Sequence, residues 1–472
     1  MRHFLPGLLL TLFSPLLLAA DWQTIVQERP AGSQVALLVA PLGKGKLKVE
    51  YNASLLLPPA STQKLFTATA AELVLGDDFR FETRLEGRGH PQGGQWQGDL
   101  RLVFSGAPDL KRDDLADLLA SLKAKGIRSI SGDLFLDGSA FDGYERGPGW
   151  PWDNLGVCYS APSSSLTLEH NCVAASLDAG KPGSQARFYV PPHQPVEVKS
   201  VVQVVSPEQQ QQSLCELMLD RGPGNHYQLH GCVTDERSVW PLNFAVNDTA
   251  AYVQSVLSAE LSRAGIHLDG RVRRQRQPGK PWPQLAVLRS APLADLLKEM
   301  LEESDNLFAD NIAKTLGRQG GEPGDFARGV RAVKAALKDK LGLTLNPATI
   351  KDGSGLSRDN LVSPRQLATV LDYLAQHQEM AVYQGLPVAG LSGTLKFRHS
   401  VTRPPLKGNI KAKTGTLNGS TNLAGYFTGA SGQRYLFVLM TSSLSLGDDS
   451  DAAKDRLTAF ERQLLLSLYH QG

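Results

Sequence analysis

Apolar and polar residues change their spacing three times along this chain. Gln34 to Ala40 (QVALLVA) is a dense β-branched and apolar run that predicts a buried strand. Pro58-Pro59-Ala60 then leads into Ser61-Thr62-Gln63-Lys64 and an Ala- and Leu-rich stretch ending at Gly76. Prolines before, good helix formers within and glycine after predict a helix with Ser61 and Lys64 in its first turn, on one face. From about Phe81 to Trp282 the spacing shortens. Runs such as Leu100–Phe104, Leu134–Leu136 and Val196–Val205 lie between Gly, Pro, Asn and Asp turns, with one polar tract, Glu208 to Gln212. This predicts an inserted, mostly β region of two subdomains. Helical periodicity returns after a Ser290 cap and Pro292, with Leu293, Leu296, Leu297, Met300 and Leu301 on one face. Ser304-Asp305-Asn306 follows, then a second helical run closed by Gly317. Lys411 to Thr416 enters a hairpin whose strands are Asn422–Thr428 and Arg434–Thr441, turning at Gly429–Gly432. The last helix, Asp451 to Tyr469, places Leu457, Phe460, Leu464 and Leu465 as a core face, and its polar face carries both signs of charge. No repeat of solenoid length is visible.

A chain of 472 residues exceeds what one hydrophobic core usually serves. The segments read as 1–20, an export signal; 21–85 and 286–472, two parts of one domain; and 86–285, the insertion. The signal rests on Arg2 and His3 before an apolar run from Phe4 to Leu18, with Ala19-Ala20 meeting Asp21. That run is short for a bilayer span and broken by Pro6 and Pro15, which favours cleavage after Ala20. Lys plus Arg total 49 against 47 for Asp plus Glu, a balance that argues against a nucleic-acid partner. Four cysteines fit an oxidising compartment and fall in two local pairs, Cys158 with Cys172 and Cys215 with Cys232, although four cysteines permit three connectivities. None sits in a Cys-x-x-Cys spacing, so zinc is the weaker reading.

A serine hydroxyl needs a neighbour to take its proton. The chain has no Gly-x-Ser-x-Gly elbow and no HExxH; among its serines, Ser61 alone has a lysine three positions on. Such a pair alone is commonly an exposed helical couple. Ser304-Asp305-Asn306 between two helical runs and Lys413-Thr414-Gly415 opening a strand change the weighting. Ser-x-x-Lys, Ser-x-Asn and Lys-Thr-Gly in that order are the set of penicillin-binding proteins and class A β-lactamases.

Closer still, PPASTQK, the long β-rich insertion, DGSGLSR (Asp352 to Arg358), and AKTGTLNG followed by NLAGYF resemble the D-alanyl-D-alanine carboxypeptidase/endopeptidase family, the class C low-molecular-mass penicillin-binding proteins. The likeness spans nearly the whole mature chain, including Trp150-Pro151-Trp152 and the cysteine placement. It implies an α/β (α+β) penicillin-recognising serine hydrolase fold, an antiparallel sheet flanked by helices and interrupted by the insertion. It implies a periplasmic enzyme that trims terminal D-alanine from stem peptides and cuts D-alanyl-diaminopimelate cross-bridges, with β-lactams as covalent inhibitors and no cofactor or metal. It leaves room for a homodimer and for association with other cell-wall enzymes.

Carried onto this chain, Ser61 is the nucleophile and Lys64 its base, with Lys413 as a nearby cation that lowers the Lys64 pKa together with burial. Ser304 relays a proton to the leaving amine, and Asn306 holds the substrate amide. Lys413, Thr414 and Thr416 suit the terminal carboxylate, with Gly415 between them; backbone N–H groups of Ser61 and Thr416 form the oxyanion hole. Asp305 shapes its loop. Arg358 matches a position near the diamino acid's free carboxylate. Where the family usually places Asp to meet the free ammonium, this chain has Asn154, with Asp153 one position earlier. A β-lactamase is the nearest rival, but no segment is identifiable as the loop carrying a class A deacylation glutamate. A non-catalytic wall-binding protein would have no need of Lys64 beside Ser61.

Overall fold

The computed structural model describes residues 21–43, 45–275, 279–444 and 450–472. The export signal read over residues 1–20 lies outside them. Among the described residues, the centre is a five-stranded antiparallel sheet in the order Ile410–Leu417, Ser420–Thr428, Arg434–Ser442, Gln34–Pro41, Val49–Tyr51. Gln34–Pro41 lies between two partners, its whole length paired with Arg434–Ser442. Its lack of polar alternation has a direct cause. Val35, Leu37 and Val39 point into one core with the C-terminal helix, while Ala36 and Leu38 point into a second core with the other helices. A strand covered on both faces needs apolar residues at every position. Each fully buried Leu or Phe in these layers contributes on the order of 1.5–3 kcal/mol.

The C-terminal helix Ser450–Gln471 and the short Trp22–Gln27 helix cover one face, burying Phe460, Leu464, Leu465 and Leu468 with Ile25 and Val26. Helices Lys64–Leu75, Leu293–Glu303, Asn306–Leu316, Phe326–Leu341 and Pro364–Gln376 cover the other. None of the described helices is long and apolar enough to cross a membrane. Ser290 is not the cap that its position predicts. Its hydroxyl accepts from Phe81 N at 2.9 Å and donates to Ala291 O, so it staples two chain segments and leaves Pro292 to start the helix.

The chain leaves this body along Glu82–Gln92 and returns along Gln284–Arg289, and these two strands pair with each other antiparallel. They belong to a seven-stranded mixed sheet carrying helices Arg112–Ala124 and Thr249–Ala264. Its buried face is continuous with the core of the helical layer. A smaller body of short strands between Cys172 and Ala245 has its own core around Leu177, Val202, Val204, Tyr227 and Phe244. Within it, Val196–Val205 divides into Glu197–Ser200 and Gln203–Val205, and the polar tract forms the short helix Pro207–Ser213. The cysteines pair locally, Cys158 with Cys172 and Cys215 with Cys232.

Candidate active site

Ser61 sits one step ahead of the α-helix expected to carry it. Ala60–Gln63 is a 3₁₀ turn, and the α-helix begins at Lys64. The cause is tertiary. The Asn422 amide donates to Pro58 O at 2.9 Å and Pro59 O at 2.8 Å, fixing both carbonyls from the neighbouring strand. Two glycines press against the turn from either side. A Cβ on Gly415 would lie 2.6 Å from Pro59 O, and one on Gly355 would lie 1.9 Å from Ala60 O. Ala60 itself holds φ +47°. The Ser61 turn is thus gripped between the Ile410–Leu417 strand and the loop from Asp352 to Arg358.

Lys64 is completely buried, and its Nζ lies 2.9 Å from Ser61 Oγ, 2.6 Å from Asn306 Oδ1 and 2.9 Å from Ser354 O. Burial pulls its pKa down to about 8, while the charges of Asp310, Asp305 and Asp352 hold it up. Its amine therefore loses its proton far more readily than an exposed lysine. Lys413 is also fully buried, donating to Ser304 Oγ at 2.8 Å and Thr414 O at 3.1 Å. Burial, then repulsion from Lys64 and Arg398, push it well below the ordinary lysine value. This revises the expected electrostatics: burial is what lowers Lys64, and the like-charge repulsion falls on Lys413.

Ser304 has φ +60° and links Leu293–Glu303 to Asn306–Leu316, which Asp305 caps by accepting from Phe308 N at 3.0 Å. The Asn306 amide is committed to Lys64 on one side and donates to Tyr159 O at 2.8 Å on the other. Thr414 spends its hydroxyl on Thr394 Oγ1 at 2.8 Å and is buried, whereas Thr416 is exposed.

A cleft of about 490 Å³ opens over the serine, and its lining includes Ser61, Ser304, Asn306 and Thr416 together with Asp153, Asn154, Tyr159 and Arg358. Lys64, Lys413, Thr414 and Gly415 lie outside this lining. Both Asp153 and Asn154 reach it, from a 3₁₀ turn spanning Trp152–Asn154. The phenol of Tyr159 is pushed upward by burial and by Asp153, with Arg358 opposing. Arg358 donates to Asn418 O. Trp150, just ahead of the Trp152–Asn154 turn, is held in place: its indole donates to Asp352 Oδ2 at 2.9 Å and packs edge-on against Phe326.

The residues that pattern reasoning did not single out are those supporting Lys64. Asp352 accepts from Gln63, Gly355 N, Ser357 N, Asn360 and Trp150, so every part of its carboxylate is used. Asp310 is fully buried, accepts from Gly353 N at 2.7 Å and Ser354 N at 2.9 Å, and is pushed up to about 8 by burial and by Asp352. An acid at Asp310 and a base at Lys314, four apart within the buried run Leu307–Leu316, was the available signal.

The family model described as D-Ala-D-Ala carboxypeptidase 3 (S13) matches residues 18–464. The D-alanyl-D-alanine carboxypeptidase DacB of Haemophilus influenzae is 38% identical over 449 residues, covering 94% of this chain and 93% of that protein. The crystal structure of penicillin binding protein 4 (dacB) from Haemophilus influenzae superposes with a TM-score of 0.89 at 37% identity, covering 96% of this chain and 100% of that one. A second crystal structure of that protein, complexed with a novel β-lactam, gives a TM-score of 0.85 at 35% identity with the same coverage.

Proposed function

Because the chain belongs to the D-Ala-D-Ala carboxypeptidase 3 (S13) family, we propose that it releases the terminal D-alanine of peptidoglycan stem peptides through an acyl-enzyme on Ser61, and opens D-alanyl-diaminopimelate cross-bridges by the same route. The observation that carries this reading is a fully buried lysine amine 2.9 Å from the Ser61 hydroxyl. Ser61 Oγ attacks the carbonyl of the penultimate D-alanine while its proton passes to the neutral Lys64 amine. The peptide C–N bond then breaks as Ser304, which accepts a hydrogen bond from Lys413, relays to the leaving amine the proton that Lys64 took from Ser61, so that Lys64 is neutral again. Water hydrolyses the resulting ester and restores Ser61. Backbone N–H groups of Ser61 and Thr416 stabilise the oxyanion, a contribution of about 3 kcal/mol per donor in other enzymes. The substrate's terminal carboxylate restores the charge of Lys413, which burial otherwise suppresses.

Cross-bridge cutting draws support from two further residues of the cleft lining. Asp153 and Arg358 place a carboxylate and a guanidinium on one surface, matching the ammonium and carboxylate of a diamino acid's free end. Asp153 supplies the charge that Asn154 lacks. In this reading residues 86–285 are an inserted domain whose task at the site is to furnish Asp153, Asn154 and Tyr159. The β-lactam held by the Haemophilus influenzae protein supports β-lactams as acylating inhibitors here. The residue 1–20 pattern supports a periplasmic location.

Fluorescent penicillin should label the wild type and leave Ser61→Ala unlabelled; no labelling of either sinks the reading. Mass spectrometry of digested muropeptides then separates the two activities: loss of one alanine marks trimming, and dimers becoming monomers mark cross-bridge cutting. Asp153→Asn should depress the second activity more than the first.

A further inference from the structure

Ser304-Asp305-Asn306 is held from the insertion by two contacts, and both hang from one covalent bridge. Asn306 donates to the carbonyl of Tyr159, the residue after Cys158. Asp305 Oδ2 lies 3.2 Å from His170 Nδ1, and His170 stands two residues before Cys172. The Cys158–Cys172 disulfide joins the two arms.

His170 is the middle of three consecutive left-handed residues: Glu169, His170 and Asn171 have φ of 51°, 55° and 48°. L-residues seldom enter this region singly, and a run of three persists only where its surroundings enforce it. They do so here. Glu169 N donates to Leu110 O at 3.0 Å, and the Glu169 carboxylate accepts from Arg112 N at 2.7 Å. Asn171, fully buried, donates to Pro162 O at 2.9 Å, and its carbonyl accepts from Val246 N at 2.8 Å. The imidazole stacks on Phe308 with ring centroids 5.5 Å apart. A strained turn fixed on every side thus aims one side chain at Asp305, whose other oxygen caps the following helix.

We propose that His170 is a positioning residue that clamps Asp305 from the insertion and so sets the Ser304 hydroxyl against Lys413 and the Asn306 amide against Lys64. The proposal rests on the reading of Ser304 and Asn306 as participants in acylation. The clamp is pH-tunable because its donor titrates. The charged groups facing His170 are Asp305 from the following helix, Glu299 from the preceding one and Glu169 from its own turn; Asp109, Lys111, Asp114 and Arg289 line the cavity of about 420 Å³ beside it. The Asp305 hydrogen bond raises the imidazole above its ordinary value, burial opposes, and the charges of Asp305, Glu299 and Glu169 raise it further. Below that raised value the contact is an ion pair; as pH climbs through it, a neutral hydrogen bond remains. The clamp therefore slackens with rising pH, opposite in sense to the activation of Lys64.

The test is the second-order rate of acylation by a fluorescent penicillin, from acid to alkaline pH, for the wild type, His170→Arg and His170→Gln. His170→Arg should match the wild type in acid and exceed it by about fivefold to tenfold on the alkaline side, the difference between a charge-assisted and a neutral hydrogen bond. His170→Gln should fall below the wild type by a similar factor in acid and converge with it in alkali. Ratios that stay constant across pH overturn the proposal, whether the variants equal the wild type or lose activity uniformly with lowered thermal stability. A wild type that takes no label defeats the Ser61 reading instead, so the two failures are separable.

Discussion

Replacing Gly415 by Ala tests whether the grip on the Ser61 turn sets reactivity. The new methyl carbon would sit 2.6 Å from Pro59 O, 3.1 Å from Thr62 N and 3.2 Å from Ala60 Cβ. Relaxed non-bonded contacts begin near 3.5 Å, so the turn and the strand must separate by about 0.9 Å. Neither partner is free to give way. Gly415 lies opposite Asn422 in the strand pair, and Asn422 holds the Pro58 and Pro59 carbonyls. On its far side the turn already abuts Gly355. The displacement therefore reaches Ser61 relative to Lys413 and Ser304. A misplacement near 1 Å costs about a hundredfold in rate, so acylation should drop by roughly 30–100-fold, equivalent to about 2–3 kcal/mol of barrier. Overpacking should also lower stability by about 1–3 kcal/mol. Stopped-flow acylation by a fluorescent penicillin measures the first, and thermal unfolding the second. A folded Gly415→Ala protein acylating within about twofold of the wild type would refute the argument, because it would show that the turn need not be fixed for Ser61 to react.

Acylation should rise with pH up to about 8 and then level as the Lys64 amine becomes neutral, until any slackening of the His170 clamp intervenes; Lys64→Ala should be slower by about 10²–10⁴-fold on that plateau, with the gap narrowing as pH falls and the wild-type amine protonates, checked by the same rate measurement. Glu461, on the C-terminal helix, is buried against Arg398 and also accepts from Ser400; burial pushes its pKa up, but the Arg398 charge and the hydrogen bonds from Arg398 and Ser400 together hold it below the usual 4.5. Its folded value lies below its unfolded one, so its stabilisation is complete above the unfolded value and is lost as pH falls through the folded value. Glu461→Ala should cost about 3–5 kcal/mol at neutral pH by leaving Arg398 unpaired, with a penalty that narrows in acid, as seen in denaturant midpoints.

Several elements were legible because their signals are local. The buried strand at Gln34–Pro41, the Leu293–Glu303 helix and the C-terminal hairpin declared themselves by spacing, since covered faces demand apolar residues at the period of the backbone. The chemistry-bearing residues were legible only as a set: Ser61 with Lys64 alone reads as an exposed helical pair, and the ordered company of Ser304-Asp305-Asn306 and Lys413-Thr414-Gly415 changed that weighting. Sequence spacing favoured the local disulfide pairs without excluding the other two connectivities, and the structure joins Cys158 to Cys172 and Cys215 to Cys232.

What the linear pattern could not carry is distance between remote segments and the dielectric that surrounds them. That Ser61 lies in a 3₁₀ turn follows from Asn422 and Gly415, more than 350 positions away. That burial governs Lys64, with Asp310 and Asp352 restraining it, depends on helices and loops closing over one amine. The sequence by itself settled which residue types were available and at what local spacing. Only the packed structure decided which carbonyls are pinned, which amine is dry and which histidine reaches Asp305, because those are sums over neighbours that chain order does not record.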